Sequence, residues 1–276
     1  MRIDAHQHFW HYDPVRDGWI TEEMSVLKRD FLPHELEALL DGSGMDGTVA
    51  VQADQSETET RFLLGLAEDH PSVLGVVGWV DLRSPDLPER LERLSRFRRL
   101  RGVRHIAQAE SDDFLTRQEV ISGIGMLRDF QLTYDILVYP RQLPAALTLV
   151  HALPDQPFVL DHMAKPLIGR GVTEPWATQV RELASHPRVW CKISGLVTEA
   201  DWARWRPDEF RPYLDLVFDA FGPHRLMFGS DWPVCLLAAE YRQVVELIET
   251  YAEQLPTPER GALFGGNAAD FYGLSA

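Results

Sequence analysis

The chain has 276 residues, with 42 acidic against 27 basic side chains, a formal charge of −15, and 45% hydrophobic and 25% charged residues. That size supports a large core, as one α/β barrel or two modest domains. The charge argues against nucleic acid or an anionic membrane as partner, since both would repel it, but leaves open an anionic small molecule in a local basic pocket.

Two cysteines, Cys191 and Cys235, form neither a disulfide framework nor a zinc motif. No apolar run approaches membrane-spanning length. A strand begins almost at the first residue, which leaves no room for a signal peptide. A soluble protein of the reducing cytoplasm is expected.

The first predicted strand, Ile3–Phe9, reads "IDAHQHF". Residues two apart on a strand share a face, so His6, His8 and Asp4 are expected on one side, with Ile3, Ala5, Gln7 and Phe9 on the other. Imidazoles on a buried face cost desolvation unless a metal, an anionic ligand or core hydrogen bonding uses them. His11–Phe31 follows without periodicity and is expected as a long loop. A helix over Pro33–Gly44 and the turn cluster "DGSGMDG" lead to strand Gly47–Ala53. Helix Glu57–Asp69, strand Leu74–Val80, helix Leu87–Arg98 and strand Gly102–Ile106 continue the alternation. After them come helix Arg117–Phe130, strand Tyr134–Val138, helix Arg141–Ala152 and strand Pro157–His162. The last units are helix Glu174–Ser185, strand Val189–Gly195, helix Asp208–Phe221, strand Leu226–Asp231 and helix Ala238–Gln254, before a final helix over Pro258–Tyr272. Eight βα units without a compositional break predict a single (β/α)8 TIM barrel over residues 1–276, not an open sheet.

Polar residues at the C-terminal ends of barrel strands converge on one site. His6 and His8 end strand 1. Arg104 and His105 end strand 4, facing opposite ways. Asp161, His162 and then Lys165 follow strand 6, Lys192 interrupts an apolar strand 7, and Asp231 closes strand 8. Singly, each has a bland reading as a core histidine, a snorkelling lysine or a cap. Together at one end of one barrel they point to a site. Trp10, Trp19, Trp79 and Trp232 lie near strand ends and offer flat walls for a ring. Cys191 is expected to face the helices, and Cys235 lies in the loop after strand 8.

The motifs "DAHQHFW", "GVRHI", "LDHMAKP", "CKISGL", "GSDWP" and "GNAADFY", in this order, resemble the amidohydrolase superfamily. More narrowly, they resemble its amidohydrolase-2 lactonase branch, which contains L-fuconolactone and L-rhamnonolactone hydrolases and relatives of 2-pyrone-4,6-dicarboxylate lactonase. The resemblance spans essentially the whole chain and implies a hydrolase acting on a carboxylic ester. Superfamily members with two metals carry a lysine ending strand 4 and histidines on strands 5 and 6. Here strand 4 ends in Arg104-His105-Ile106 and strand 5 has no histidine. At most one divalent ion, zinc foremost, is therefore expected, on His6, His8 and Asp231 with His162 close by; catalysis without metal is the other reading.

For a lactonase, Asp231 is the expected general base, passing its proton on to the leaving alkoxide. Lys192, His162 and His105 are the expected oxyanion stabilisers. Arg104, Trp10, Trp79 and Trp232 are the expected substrate contacts, Arg104 through a substrate carboxylate. Only Arg83 and Arg104 lie near strand ends, with Arg141 opening a helix, and this modest supply favours a neutral sugar lactone over a dicarboxylate. The rival readings are a 2-pyrone-4,6-dicarboxylate-type or other lactonase of aromatic catabolism, a zinc-dependent decarboxylase, a ligand or metal binder on the same barrel, and a purely structural role for the buried charges. The expected partner is a small-molecule lactone, with assembly into homo-oligomers left open.

Overall fold

The computed structural model describes residues 1–275. Eight parallel strands pair in chain order: β1 Ile3–Gln7, β2 Gly47–Val51, β3 Val73–Gly78, β4 Leu100–His105, β5 Thr133–Ile136, β6 Phe158–Leu160, β7 Val189–Ile193 and β8 Leu226–Phe228. Helices follow them: α1 Pro33–Gly42, α2 Glu57–Asp69, α3 Leu87–Leu94, α4 Gln118–Met126, α5 Leu143–Ala152, α6 Trp176–Ala184, α7 Pro207–Phe221 and α8 Tyr241–Ala252. Short helices α9 Thr257–Gly261 and α10 Asn267–Tyr272, joined by a wide turn at Ala262–Gly266, replace the expected single final helix. This is a (β/α)8 barrel. Its seam closes where the chain beyond β8 meets β1: Asp231 N–H donates to His6 O at 2.8 Å, and His8 N–H to Trp232 O at 2.7 Å.

Alternation along the strands separates two cores. Ile3, Ala5, Val49, Val51, Val77, Val159 and Met227 form one cluster with Tyr272 and Leu274 of the C-terminal segment, filling the barrel's interior. Their neighbours Val76, Leu160, Leu226 and Phe228 belong to the larger cluster under the helices, as does Cys191, which faces the helices as expected. On β4, β5 and β7 the inward positions are charged. Arg104, Asp135 and Lys192 are all buried, flanked on their strands by Val103, Tyr134, Ile136, Cys191 and Ile193 of the outer core.

Strands β1, β6 and β8 end earlier than the sequence suggests, so His8, His162 and Asp231 lie just beyond their ends. Alternation also fails on β1. Pairing with β2 slips between Asp4 and Gln7, and Asp4 does not share a face with His6 and His8. Ile3 and Ala5 face the interior. Asp4 turns away, and its Oδ1 accepts the N–H of Ser230 at 2.9 Å and of His6 at 3.1 Å. The Asp4 carboxylate thus holds the His6 N–H inside the stretch where the register slips, and the His6 ring beyond it faces the interior beside Lys192.

Burial pushes the Asp4 carboxyl up to about 6, against the hydrogen bonds from Ser230 and His6. Its native pKa exceeds the unfolded value, so its contribution to stability is complete below pH ~4 and is lost as pH rises towards 6, by about 3 kcal/mol for a two-unit shift. Asp4→Asn keeps the accepting oxygen and removes the titration. Urea unfolding at pH 4 and pH 7.5 is expected to show a smaller pH-dependent loss in the variant; equal losses in both proteins would refute the assignment.

Candidate active site

Seam closure sets the side chains of β1 against Asp231. His8 Nε2 lies 3.3 Å from Asp231 Oδ1, His6 Nε2 3.8 Å and His162 Nε2 3.9 Å from the same oxygen. Asp231 adopts a left-handed backbone, φ 58°, which aspartate tolerates better than most residues. His8 Nδ1–H donates to Val51 O at 2.7 Å, leaving Nε2 as the lone-pair nitrogen towards Asp231. Burial holds the His6 and His162 pKa values well below the ordinary imidazole range, so both rings are neutral near pH 7. Burial raises the Asp231 carboxyl, but His162, His8 and Lys165 outweigh it, and the net shift is downward.

His162 stands on a left-handed turn. Four consecutive residues, His162, Met163, Ala164 and Lys165, have φ between 50° and 59°. None is glycine, so the turn carries roughly 1–2 kcal/mol of strain per residue. It is clamped by the buried side chains of Met163 and Ala164 and by the Trp176 indole N–H on Met163 O at 2.6 Å. Such strain persists only where surrounding structure enforces it, and it gathers at functional sites. Gly195 makes room opposite, since a Cβ there would lie 2.7 Å from His162 Nδ1.

Beneath His6 lies a buried ionic lattice. Lys192 Nζ donates to Asp135 Oδ2 at 2.6 Å, and lies 3.1 Å from Asp161 Oδ1 and 3.2 Å from His6 Nδ1. Its three protons thus have three neighbours. Arg104 donates through Nε and Nη2 to Gln52 and through Nη1 to Asp161 Oδ2 at 3.0 Å, with His6 Nε2 3.3 Å from Nη1. The Tyr272 hydroxyl of α10 closes the floor, donating to Asp135 Oδ2 at 2.8 Å. Asp161 is held well below the carboxylate range: burial opposes its charge, and Lys192, His6 and Arg104 overcome it.

Above this floor opens a cavity of about 310 Å³, lined on its polar side by His8, Gln55, Arg104, Gln108, His162, Lys165 and Asp231, and on its apolar side by residues including Trp10, Trp19, Ile106 and Leu137. His6, His8, His162, Arg104 and Asp231 therefore come together, with Trp10 and Trp19 as aromatic walls. Lys192 is adjacent but wholly buried under His6. His105 faces the other way, taking the Trp79 indole N–H on Nδ1 at 3.2 Å, giving Nε2–H to Glu110 at 3.0 Å and stacking on Phe114. Trp232 is buried against Phe9 and Phe31. Cys235 is buried behind the seam, its N–H on Asp231 O at 2.9 Å. The sequence placed Asp161 and Lys165 among the strand-end groups without a specific role and did not single out Asp135, Tyr272 or Gln52. For Asp135 a signal existed: a charge at an inward position of the apolar strand "TYDILV", matching Lys192.

Two clusters of buried groups have ligand geometry for a cation: His6, His8 and Asp231, and His6, Asp161 and His162. The 3.3 and 3.8 Å separations in the first suit donors around one ion, since ligands at ~2.1 Å in a tetrahedron stand about 3.4 Å apart.

The amidohydrolase family model, Amidohydro_2, matches residues 3–274. An L-fucono-1,5-lactonase of Burkholderia multivorans is 45% identical over 286 residues, covering 99% of this chain and 96% of its own. An L-fucono-1,5-lactonase of Burkholderia ambifaria is 42% identical over 280 residues, covering 99% and 95%. A crystal structure of a Burkholderia multivorans amidohydrolase with bound zinc superposes with a TM-score of 0.96 at 45% identity over the full length of both chains. By the family match along nearly its whole length and by the histidine–aspartate cluster at its barrel mouth, the chain belongs to the amidohydrolase family.

Proposed function

We propose that the protein hydrolyses the lactone of a small neutral sugar acid. The observation that carries this reading is the ionised Asp231 carboxylate set among three histidines at the mouth of a small, partly aromatic cavity. The identity to two L-fucono-1,5-lactonases over nearly the full length supports the same class of substrate. A dicarboxylate needs free guanidinium groups at the mouth, and the candidates are spent elsewhere. Arg104 has four of its five N–H groups on Gln52 and Asp161 and the fifth aimed at His6. Arg83 pairs with Asp81, and Arg141 with Asp112. Assayed with L-fucono- and L-rhamnono-lactones and with 2-pyrone-4,6-dicarboxylate, the protein is expected to open the sugar lactones and leave the dicarboxylate intact. Turnover of the dicarboxylate alone would reverse the assignment.

In this reading Asp231 takes a proton from the water that attacks the lactone carbonyl. Acid–base help of this kind is worth about 10²- to 10⁴-fold. The oxyanion that forms lies beside His162 and His6, with the lattice of Lys192 and Arg104 behind His6 offsetting its charge. Lys192 and Arg104 act through His6, fixing its ring. His105 acts only on the loop walls, through Trp79 and Glu110. Trp10 and Trp19 flank the ring of the substrate.

Asp231→Asn should keep the fold, since asparagine also tolerates the left-handed backbone. It is expected to lower kcat at least 100-fold with little change in melting temperature; a fall in Tm with kcat preserved would make the residue structural.

The donor set of His6, His8 and Asp231 fits one divalent ion, zinc foremost. Bound there, the ion supplies carbonyl polarisation or a more acidic water. His8 is the best-prepared ligand, because its Nδ1–H on Val51 O presents Nε2. Calorimetric titration of metal-stripped protein is expected to give one zinc per chain, with affinity weakened at least ~10-fold in His8→Ala. Unchanged affinity in that variant would remove His8 from the ligand set.

A further inference from the structure

Two cationic side chains line the cavity, Arg104 and Lys165, and a third, Lys192, lies beneath it; they are not equivalent. Lys192 is buried, donating to Asp135 with Asp161 and His6 as its other near neighbours, and Arg104 is pinned by Gln52 and Asp161. Lys165 lines the cavity, with its side chain 17% exposed. Among the described residues its one carboxylate neighbour is Glu199, 3.5 Å away, longer than the ~2.7–2.9 Å of a charge-assisted hydrogen bond. The Tyr139 ring lies 5.7 Å from Nζ. Burial raises the Glu199 carboxyl, and the Lys165 charge opposes that shift. Lys165 therefore faces the cavity with N–H donors to spare.

Its position is fixed. Lys165 ends the left-handed turn that begins at His162, its N–H donating to His162 O at 2.8 Å, and Pro166 follows. The same strained turn thus sets both the His162 ring and the Lys165 stem. Lys165 also lies close enough to Asp231 and His162 for its charge to shift both groups.

Opening a lactone needs a second proton transfer, to the departing ring oxygen. An aliphatic alkoxide is a poor leaving group, so the carbon–oxygen bond breaks readily only if a proton arrives as it breaks. Asp231 stands with the histidines on the side where water is activated, and Lys165 is the cavity's cation with unused protons. Resting on the lactone hydrolysis proposed above, we propose that Lys165 is a catalytic residue, the general acid that protonates the leaving ring oxygen. Water's oxygen bonds to the carbonyl carbon as its proton passes to Asp231. The bond from that carbon to the ring oxygen then breaks, and the ring oxygen takes a proton from the Lys165 ammonium. The neutral amine is restored by the proton on Asp231 through water in the cavity. One water is consumed, a hydroxy acid is released, and no redox partner takes part.

The test uses the full-length protein with L-fucono-1,5-lactone in H2(18O), comparing wild type with Lys165→Met and Lys165→Arg. If Lys165 supplies the leaving-group proton, Lys165→Met lowers kcat about 10²- to 10⁴-fold with KM changed by a few-fold at most. The tetrahedral adduct then reverts more often, and unreacted lactone recovered from the variant carries more 18O at the carbonyl than that recovered from wild type. Lys165→Arg keeps the charge but has no proton to give at neutral pH, so its kcat falls as far as that of the methionine variant. An unchanged kcat, an effect on KM alone, a fall in kcat without 18O gain, or recovery by arginine would each overturn the role. Failure of wild type to open any lactone would instead sink the hydrolase reading beneath it.

Discussion

The site depends on two backbone hydrogen bonds at the barrel seam. Asp231 N–H on His6 O and His8 N–H on Trp232 O join the two ends of an eight-strand circuit. They bring together residues more than 220 positions apart in sequence. Parallel pairing has a fixed register, and sliding it by one residue would exchange inward and outward side chains. The distance between the Asp231 carboxylate and the histidines is therefore a property of barrel closure. The slip on β1, where Asp4 captures the His6 N–H, belongs to the same constraint. Beyond it His6 faces inward at the level where Asp231 arrives.

Below the seam the barrel interior is half apolar and half ionic. Burying charges is favourable only when partners meet every donor and acceptor, and removing one partner from such a lattice commonly costs 3–5 kcal/mol. Here Asp135, Asp161, Lys192, Arg104, Gln52 and Tyr272 nearly satisfy one another. The consequence reaches the cavity. A neutral imidazole has one lone-pair nitrogen, yet His6 faces Lys192 at Nδ1 and Arg104 at Nε2. Two cations contending for one lone pair keep His6 neutral and hold its ring in place. Arg104, the arginine that lines the cavity, is thereby saturated by Gln52 and Asp161.

Most of the fold was legible because it rests on local periodicity. β-branched runs alternating with amphipathic stretches fix eight βα units, and each predicted strand overlaps an observed one. The end of the barrel where chemistry gathers was legible too, from charged residues closing apolar strands. Less legible was the work each residue does. Arg104 and Lys192 read as free cations in sequence, and only the three-dimensional partners reveal that Gln52, Asp135 and Asp161 occupy them. His105 and Trp79 sit at strand ends but bond to each other, which no spacing rule reports. Asp4 followed simple alternation on paper and departed from it through a hydrogen bond to its own strand. The left-handed turn at 162–165 lacks glycine, the residue that normally announces positive φ.

Two glycines explain why the motifs around the site include small residues that do no chemistry. Gly195 ends the "KISG" run with φ +63°, and a Cβ there would meet the His162 ring. Gly229, just before Ser230 and Asp231, is flanked so closely by β1 that a Cβ would lie 2.6 Å from His6 Cβ. In both cases the missing side chain makes room for an imidazole on another element. Adding a methyl group at either position would push a histidine from the Asp231 carboxylate by a distance comparable to the margin between a hydrogen bond and none. The site is therefore specified as much by where atoms are left out as by the residues that react, and its geometry is held by every strand that borders the seam.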